Sequence, residues 1–265
     1  MLLSELCQKV IAITKSTGAF IRTEAQSFDR NRIEHKGLND LVSYVDKQAE
    51  EQLVKGLQQL LPEAGFITEE GTVTEKATEY NWIIDPLDGT TNFIHGLPLF
   101  SISIALMQHT EIVLGVVYEI NRDECFYATK GNGAFCNDRP IRVSGTEKLA
   151  DALIVTGYPY TDFGKTDIYL QILKSYMQKS HGVRRLGSAA VDLAYVANGI
   201  FEGFFEFNLN SYDVAAGVIL VKEAGGYVSM FTDNNGNPVF DREIVASNGQ
   251  VHAEMLQVIG EYWQG

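Results

Sequence analysis

Between positions 82 and 93 the chain reads Trp-Ile-Ile-Asp-Pro-Leu-Asp-Gly-Thr-Thr-Asn-Phe, and this string restricts the fold more than any other feature. Tyr80 to Ile84 is a short apolar run with the composition of a buried strand, and it enters a loop at Asp85-Pro86. The end of that strand carries two carboxylates, Asp85 and Asp88, three residues apart. A small, hydroxyl-bearing turn, Gly89-Thr90-Thr91, follows. Hard divalent cations such as Mg²⁺ take oxygen ligands in octahedral geometry. Two carboxylates on one tight loop can serve adjacent ions, and the N–H groups of Gly89 and Thr90 can face a phosphate oxygen. An Asp-Pro-x-Asp-Gly segment alone is as consistent with a plain turn, so the specificity lies in the whole string.

Other acids gain meaning from that string. Glu69-Glu70-Gly71 precedes the strand, where paired acids read either as solvated surface or as further ligands. Asp213 opens an apolar helix and fits an N-cap as well as a ligand role. Asp40 and Asp46 flank or open a helix expected over Ser43 to Leu61, with a cap or an exposed acid as the plain alternative.

The 265 residues suffice for a large core, and their 34 acidic against 21 basic side chains give a formal net charge of −13. A chain so acidic is a poor ligand for nucleic acid or an anionic membrane, and acting on phosphates requires local neutralisation, for which metal ions are the usual means. The N-terminal segment shows neither a basic region nor an uninterrupted apolar run; Leu2, Leu3, Leu6, Val10 and Ile13 instead fall near helical spacing. No stretch is long and apolar enough to span a bilayer. Cys7, Cys125 and Cys136 form no CxxC pair and read as inert thiols of a cytoplasmic protein.

Phe100 to Met107 and Ile112 to Tyr118 read as two strands, and Gly203 to Phe207 as another. Helices are expected over Ser188 to Asn198, stopped by Gly199, over Val214 to Ala224, stopped by Gly225-Gly226, and over Val251 to Trp263. Asn132-Gly133 and Asn235-Gly236 are turn dipeptides. Strands and helices alternate in both parts, which argues for a layered α/β or α+β architecture with helices covering sheets. The seam is placed near Arg142 to Ala152, giving halves of 1–145 and 146–265 in one compact unit.

Asp85 to Phe93, Glu69-Glu70, Asp40-Leu41-Val42 with Asp46, and Tyr212-Asp213-Val214-Ala215-Ala216-Gly217 together resemble the inositol monophosphatase family, in order and spacing, over essentially the whole chain. Gly187-Ser188-Ala189-Ala190 and Gly203-Phe204-Phe205-Glu206 are similar to its inositol-phosphatase branch. The resemblance implies an α+β fold, the layered α-β-α-β-α sandwich shared with fructose bisphosphatases, and Mg²⁺-dependent hydrolysis of inositol monophosphate, with lithium sensitivity and a homodimer. It implies that Glu69, Asp85 and the carbonyl of Leu87 bind one Mg²⁺, that Asp85, Asp88 and Asp213 bind a second, and that a third, weaker ion uses Glu69. Thr90 with Asp46 would orient and help deprotonate the attacking water; Gly89 and Thr90 would hold the phosphate; Gly187, Ser188, Ala189, Glu206 and Asp213 would meet the substrate. One departure is visible: the family's usual Trp before the last metal-binding Asp is Tyr212 here.

Three alternatives stand beside this. Haloacid-dehalogenase-like phosphatases use Asp-x-Asp-Gly-Thr, whereas Asp85-x-x-Asp88-Gly-Thr is one residue longer. A non-catalytic regulatory protein on the same fold would be expected to have lost a ligand, and none is lost. Within the family, fructose bisphosphate, phosphoadenosine phosphate and histidinol phosphate are the other substrates.

Overall fold

The computed structural model describes residues 2–28, 33–37, 40–73, 76–159, 163–232 and 236–263, with the backbone alone for 33–37 and 40–42. The side chain of Asp40 and the first residue of the expected turn at Asn235 lie outside this description.

Two helices, α1 (Leu3–Gln26) and α2 (Tyr44–Leu60), flank a two-stranded ribbon of β1 (Ile33–Gly37) and β2 (Asp40–Ser43). Ser43 caps α2 and Leu61 ends it, as the helix expected from Ser43 to Leu61 requires. The buried stripe of α1 runs through Leu6, Val10, Ile11, Thr14, Thr17 and Ile21. Leu2, expected in that stripe, is 68% exposed because the helix begins only after it.

A seven-stranded sheet follows, in the order β3 (Gly65–Thr68), β4 (Tyr80–Asp88), β5 (Ser101–Gln108), β6 (Glu111–Glu119), β7 (Glu124–Thr129), β8 (Ala134–Cys136) and β9 (Arg139–Ile141). Only β3 and β4 pair in parallel; the remaining pairs are antiparallel. The short helix α3 (Thr90–His95) connects β4 to β5. The strand expected to enter a loop at Asp85-Pro86 instead continues to Asp88. Asp85 pairs with Ser103 and Asp88 with Ser101, with an irregular register between them. Pro86 sits in that irregularity, where the ladder does not need its missing N–H.

The second sheet has the order β11 (Gly182–Arg184), β10 (Leu153–Thr156), β12 (Gly203–Phe207), β14 (Glu243–Ser247) and β13 (Tyr227–Ser229). Helices α4 (Thr166–Lys179), α5 (Ala189–Ala197), α6 (Ser211–Glu223) and α7 (His252–Gly260) complete the chain. Gly199 and Gly225 take positive φ just beyond α5 and α6, as expected of helix-stopping glycines.

Alternation along the strands sorts the side chains into three cores. Trp82, Ile84, Ile104 and Val116 pack with Leu6, Val10, Leu53 and Leu57 of α1 and α2. The opposite face, with Ile83, Ala105 and Val117, meets α5 and α6, which also receive Phe204 and Ala246 of the smaller sheet. Ile154, Phe205 and Val245 on the far side of that sheet pack with Tyr169, Tyr176 and Met255 of α4 and α7. The layers therefore run helix, sheet, helix, sheet, helix. Helices α5 and α6 are apolar on every side because sheets cover both of their flanks.

In that central layer α5 and α6 are in close contact. A Cβ added at Gly217 would lie 2.4 Å from Cβ of Leu193. Gly217→Ala is expected to destabilise the protein by about 1–3 kcal/mol, read as a lowered thermal midpoint by circular dichroism; an unchanged midpoint would mean the two helices separate without penalty.

Candidate active site

A cleft of about 350 Å³ opens where the ends of β4 and β12 meet the starts of α3, α5 and α6. Its walls carry Glu69, Asp85, Leu87, Asp88, Gly89, Thr90, Gly187, Ser188, Ala189, Glu206 and Asp213. Residues from five separate stretches of sequence are thus brought to one place. Asp46 stands just behind: its Oδ1 accepts the Thr90 hydroxyl at 3.1 Å.

Each acid is fixed by a local structural device. Asp85 Oδ1 accepts the N–H of Leu87 at 3.0 Å, across the bulge of β4. Asp88 Oδ2 accepts from the Ser188 hydroxyl at 2.6 Å and from the N–H of Ala190 at 2.7 Å, so it closes the N-terminus of α5. Asp213 Oδ2 accepts the N–H of Asn210 at 2.6 Å in the first turn of α6. The N-cap expected as the alternative for Asp213 is instead Asn210; Asp213 stands three residues further on, returns the capping-box bond, and also lines the cleft. Asp46 behaves alike: Ser43 N–H and hydroxyl reach its Oδ2 at 2.8 and 2.6 Å, which leaves Oδ1 to Thr90.

Glu206, with a strand-end surface acid as its plain alternative, is 5% exposed. It reaches into the space beside Gly157, where a Cβ would lie 1.9 Å from its Oε1. A glycine is the residue that lets the carboxylate lie there. Tyr212, the departure from the family pattern, packs against the core between the sheets, and its carbonyl accepts the Ser103 hydroxyl at 3.1 Å.

Burial dominates the electrostatics. It pushes the carboxyl of Asp85 well above the usual range, and repulsion from Glu69, Asp88 and Asp213 pushes it further. Asp213 is raised well above its ordinary value by burial and then by Asp88. Asp88 is raised by burial, opposed by its hydrogen bonds from Ser188 and Ala190 and, less, by Arg185. Burial raises Asp46 against the hydrogen bonds of Ser43. Glu206 is pushed up to about 8 by burial, with Arg185 pulling the other way. The charged forms of these groups are thus short of positive charge.

The donor chemistry fits magnesium. The wall supplies carboxylates and a peptide carbonyl, while no His or Cys among the described residues lines it. That set suits a hard cation rather than zinc or copper. Among the described residues no three His, Cys, Asp or Glu side chains form a ready-made ion cage; the fit lies in donor type and uncompensated charge.

The profile of the inositol monophosphatase family matches residues 2–264. The chain belongs to that family. It is 40% identical to the inositol-1-monophosphatase of Mesorhizobium japonicum, over 97% of this chain and 96% of that one. It is also 40% identical to the Nus factor SuhB of Pseudomonas aeruginosa, over 92% of each chain. The solved structure of the Thermotoga maritima IMPase superposes with a TM-score of 0.87 at 36% identity, covering 95% of each chain. An inositol monophosphatase fold is what the layers described above amount to.

Several cleft residues escaped the sequence analysis. Arg185, Asp192 and Gly157 line it. Asp192 is buried in the first turn of α5, and its Oδ1 finds no partner among the described residues. Only its acidity within an otherwise apolar helix signalled it. Asn92, inside the motif, donates to the carbonyls of Leu99 and Leu186 at 2.8 and 2.9 Å and so ties α3 to the turn before α5.

The raised carboxyls set a pH dependence. Glu206 holds its proton in the folded chain up to about 8, far above the ordinary 4.5. Its stabilising contribution is complete below the lower value and is lost as pH rises towards the higher one. His252, lowered to about 4 by burial, titrates with the opposite sign, but only below about pH 6.5. The thermal midpoint of the metal-free protein should therefore fall between about pH 6.5 and 8, and Glu206→Gln should flatten that fall. A midpoint rising with pH, or an unchanged slope in the variant, would contradict the assignment.

Proposed function

We propose that this protein hydrolyses a small phosphate monoester with Mg²⁺, and that the monoester is an inositol monophosphate. The observation that carries the reading is the gathering of Glu69, Asp85, Asp88 and Asp213 around one cleft, with Thr90 and Asp46 hydrogen-bonded at its edge.

In this reading Glu69, Asp85, Asp88, Asp213 and the carbonyl of Leu87 hold the ions, two to three in number. Magnesium, when bound, neutralises the acids, attracts the phosphate and lowers the pKa of water. The chain does the positioning. Thr90 Oγ1 lies 3.1 Å from Asp46 Oδ1 and 2.9 Å from the Leu87 carbonyl. With its proton directed to Asp46, its lone pairs can accept a proton from the attacking water, and Asp46 Oδ1 takes the relayed proton. Ser43 keeps Asp46 in the required orientation through Oδ2. The N–H groups of Gly89 and Thr90, at the start of α3, would hold the phosphate oxygens. Glu206, with the turn Gly187 to Ala189, meets the polyol. Neighbouring hydroxyls suit a carboxyl group that can accept and, when protonated, also donate.

A second reading is favoured by the relative named as a Nus factor: a regulatory protein on the same fold. The complete set of acids supports hydrolysis, and the two readings do not exclude each other.

Phosphate release should be measured with Mg²⁺ against inositol 1-phosphate, fructose bisphosphate, phosphoadenosine phosphate and histidinol phosphate. Inositol 1-phosphate should be the best substrate, and activity should vanish with EDTA and return with Mg²⁺. Asp213→Asn should remove most of kcat with the fold intact. Glu206→Ala should raise KM for inositol 1-phosphate by an amount worth about 1–3 kcal/mol, and should leave a nitrophenyl phosphate nearly untouched. Turnover surviving exhaustive chelation would sink the metal mechanism; equal losses on both substrates would remove Glu206 from substrate recognition.

A further inference from the structure

Glu50 lies on α2, one turn beyond Asp46, and is fully buried. It is not part of the cleft wall. Its Oε2 accepts the N–H of Glu70 at 2.8 Å, and its Oε1 accepts the N–H and hydroxyl of Thr72 at 2.9 and 2.7 Å. All three donors belong to the turn that leaves β3, in which Gly71 takes a φ of +67°. Glu69 begins this turn, and its own N–H donates to the carbonyl of Ile84 at 3.2 Å. The residue is therefore pinned on one side by β4 and on the other by Glu50.

A buried carboxylate is costly unless hydrogen bonds satisfy it. Glu50 has three, and all of them end on the same turn. Asp46 and Glu50 thus share one face of α2 at a four-residue spacing. The first holds Thr90, and the second holds the turn bearing Glu69.

We infer that Glu50 is a positioning residue: it fixes the turn that places the Glu69 carboxylate at the cleft wall, and so sets the affinity of the site for a divalent cation without touching ion or substrate. The inference rests on the phosphatase reading, in which Glu69 is an ion ligand.

The test measures Mg²⁺ binding by calorimetry on the full chain, together with the thermal midpoint and amide hydrogen exchange. Glu50→Gln keeps the side-chain size but turns an amide NH₂ towards N–H donors. It should weaken Mg²⁺ binding by roughly 10-fold or more, as outer partners of metal ligands do, and should speed exchange at Glu70 and Thr72. Thr72→Val removes one donor from the other side of the same contact, at an exposed position, and should weaken binding in the same direction by a smaller factor. Leu57→Ala, in the core beneath α2, should lower the midpoint while leaving Mg²⁺ affinity unchanged. In a Glu69→Gln background, adding Glu50→Gln should cause little further loss. Wild-type affinity in both Glu50→Gln and Thr72→Val would overturn the inference alone. So would an equal loss in Leu57→Ala, or full additivity with Glu69→Gln. A wild-type chain that binds no Mg²⁺ would overturn the phosphatase reading, and this inference with it.

Discussion

Asp85, Asp213, Glu206 and Asp192 are buried around a single cleft with the half-buried Asp88, and their mutual repulsion has to be countered residue by residue. Opposing charge is scarce: Arg185 is the cation that bears on Asp88, Asp192 and Glu206. The remaining stabilisation comes from the backbone. Four helices begin at or beside the cleft: α2 with Asp46 in its first turn, α3 with Thr90, α5 behind Ser188, and α6 with Asp213 in its first turn. The N-terminus of a helix offers N–H groups without partners and the positive end of its dipole. Asp46, Asp88 and Asp213 accept hydrogen bonds at three of those ends. The layered fold is what allows this, because sheets on both sides of α5 and α6 hold helices from different parts of the chain with their starts facing one point.

The same devices explain what could be read in advance. Asp85 to Phe93 was legible because strand, carboxylates and hydroxyl-bearing turn are contiguous, so their chemistry appears as one string. Asp213 was ambiguous between cap and ligand; the N-cap is Asn210, and Asp213 returns the capping-box bond to it while also lining the cleft. A carboxylate has two oxygens and several lone pairs, so capping leaves acceptor capacity. Glu206 was legible only by resemblance. Its depth depends on Gly157, just beyond the end of β10 and without a motif of its own.

Other features could not be read because they exist only in three dimensions. Pro86 suggested the end of a strand, and only the pairing with β5 shows a bulge that tolerates it. Glu50 follows Asp46 at the spacing of an ordinary solvated helix face, and nothing in α2 itself reveals that residues 70–72 close over it. Asp192 is a single acid in an apolar helix, and its importance depends on the end of β12 arriving opposite. Helix α4 and strands β10, β11, β13 and β14 were not anticipated at all. Most of these strands are short, and their pairing partners lie 20 or more residues away in sequence for β10 with β11 and with β12, so local periodicity carries little of the information.

The chain's overall charge completes the picture on the phosphatase reading. A net charge of −13 and a cleft walled by acids repel a phosphate at every distance where the charges are felt, about 8 Å at physiological salt. Arg185 alone does not reverse the sign of that wall. The anion can bind well only after cations have entered, and the acids that exclude the phosphate are the ones that attract the cations. Order of binding then follows from electrostatics rather than from a moving part. It places a particular demand on the scaffold, which must hold like charges together before the ion arrives. Asp46 and Glu50 on one rigid helix, with the caps of α5 and α6, meet that demand through hydrogen bonds that do not depend on any ion being present.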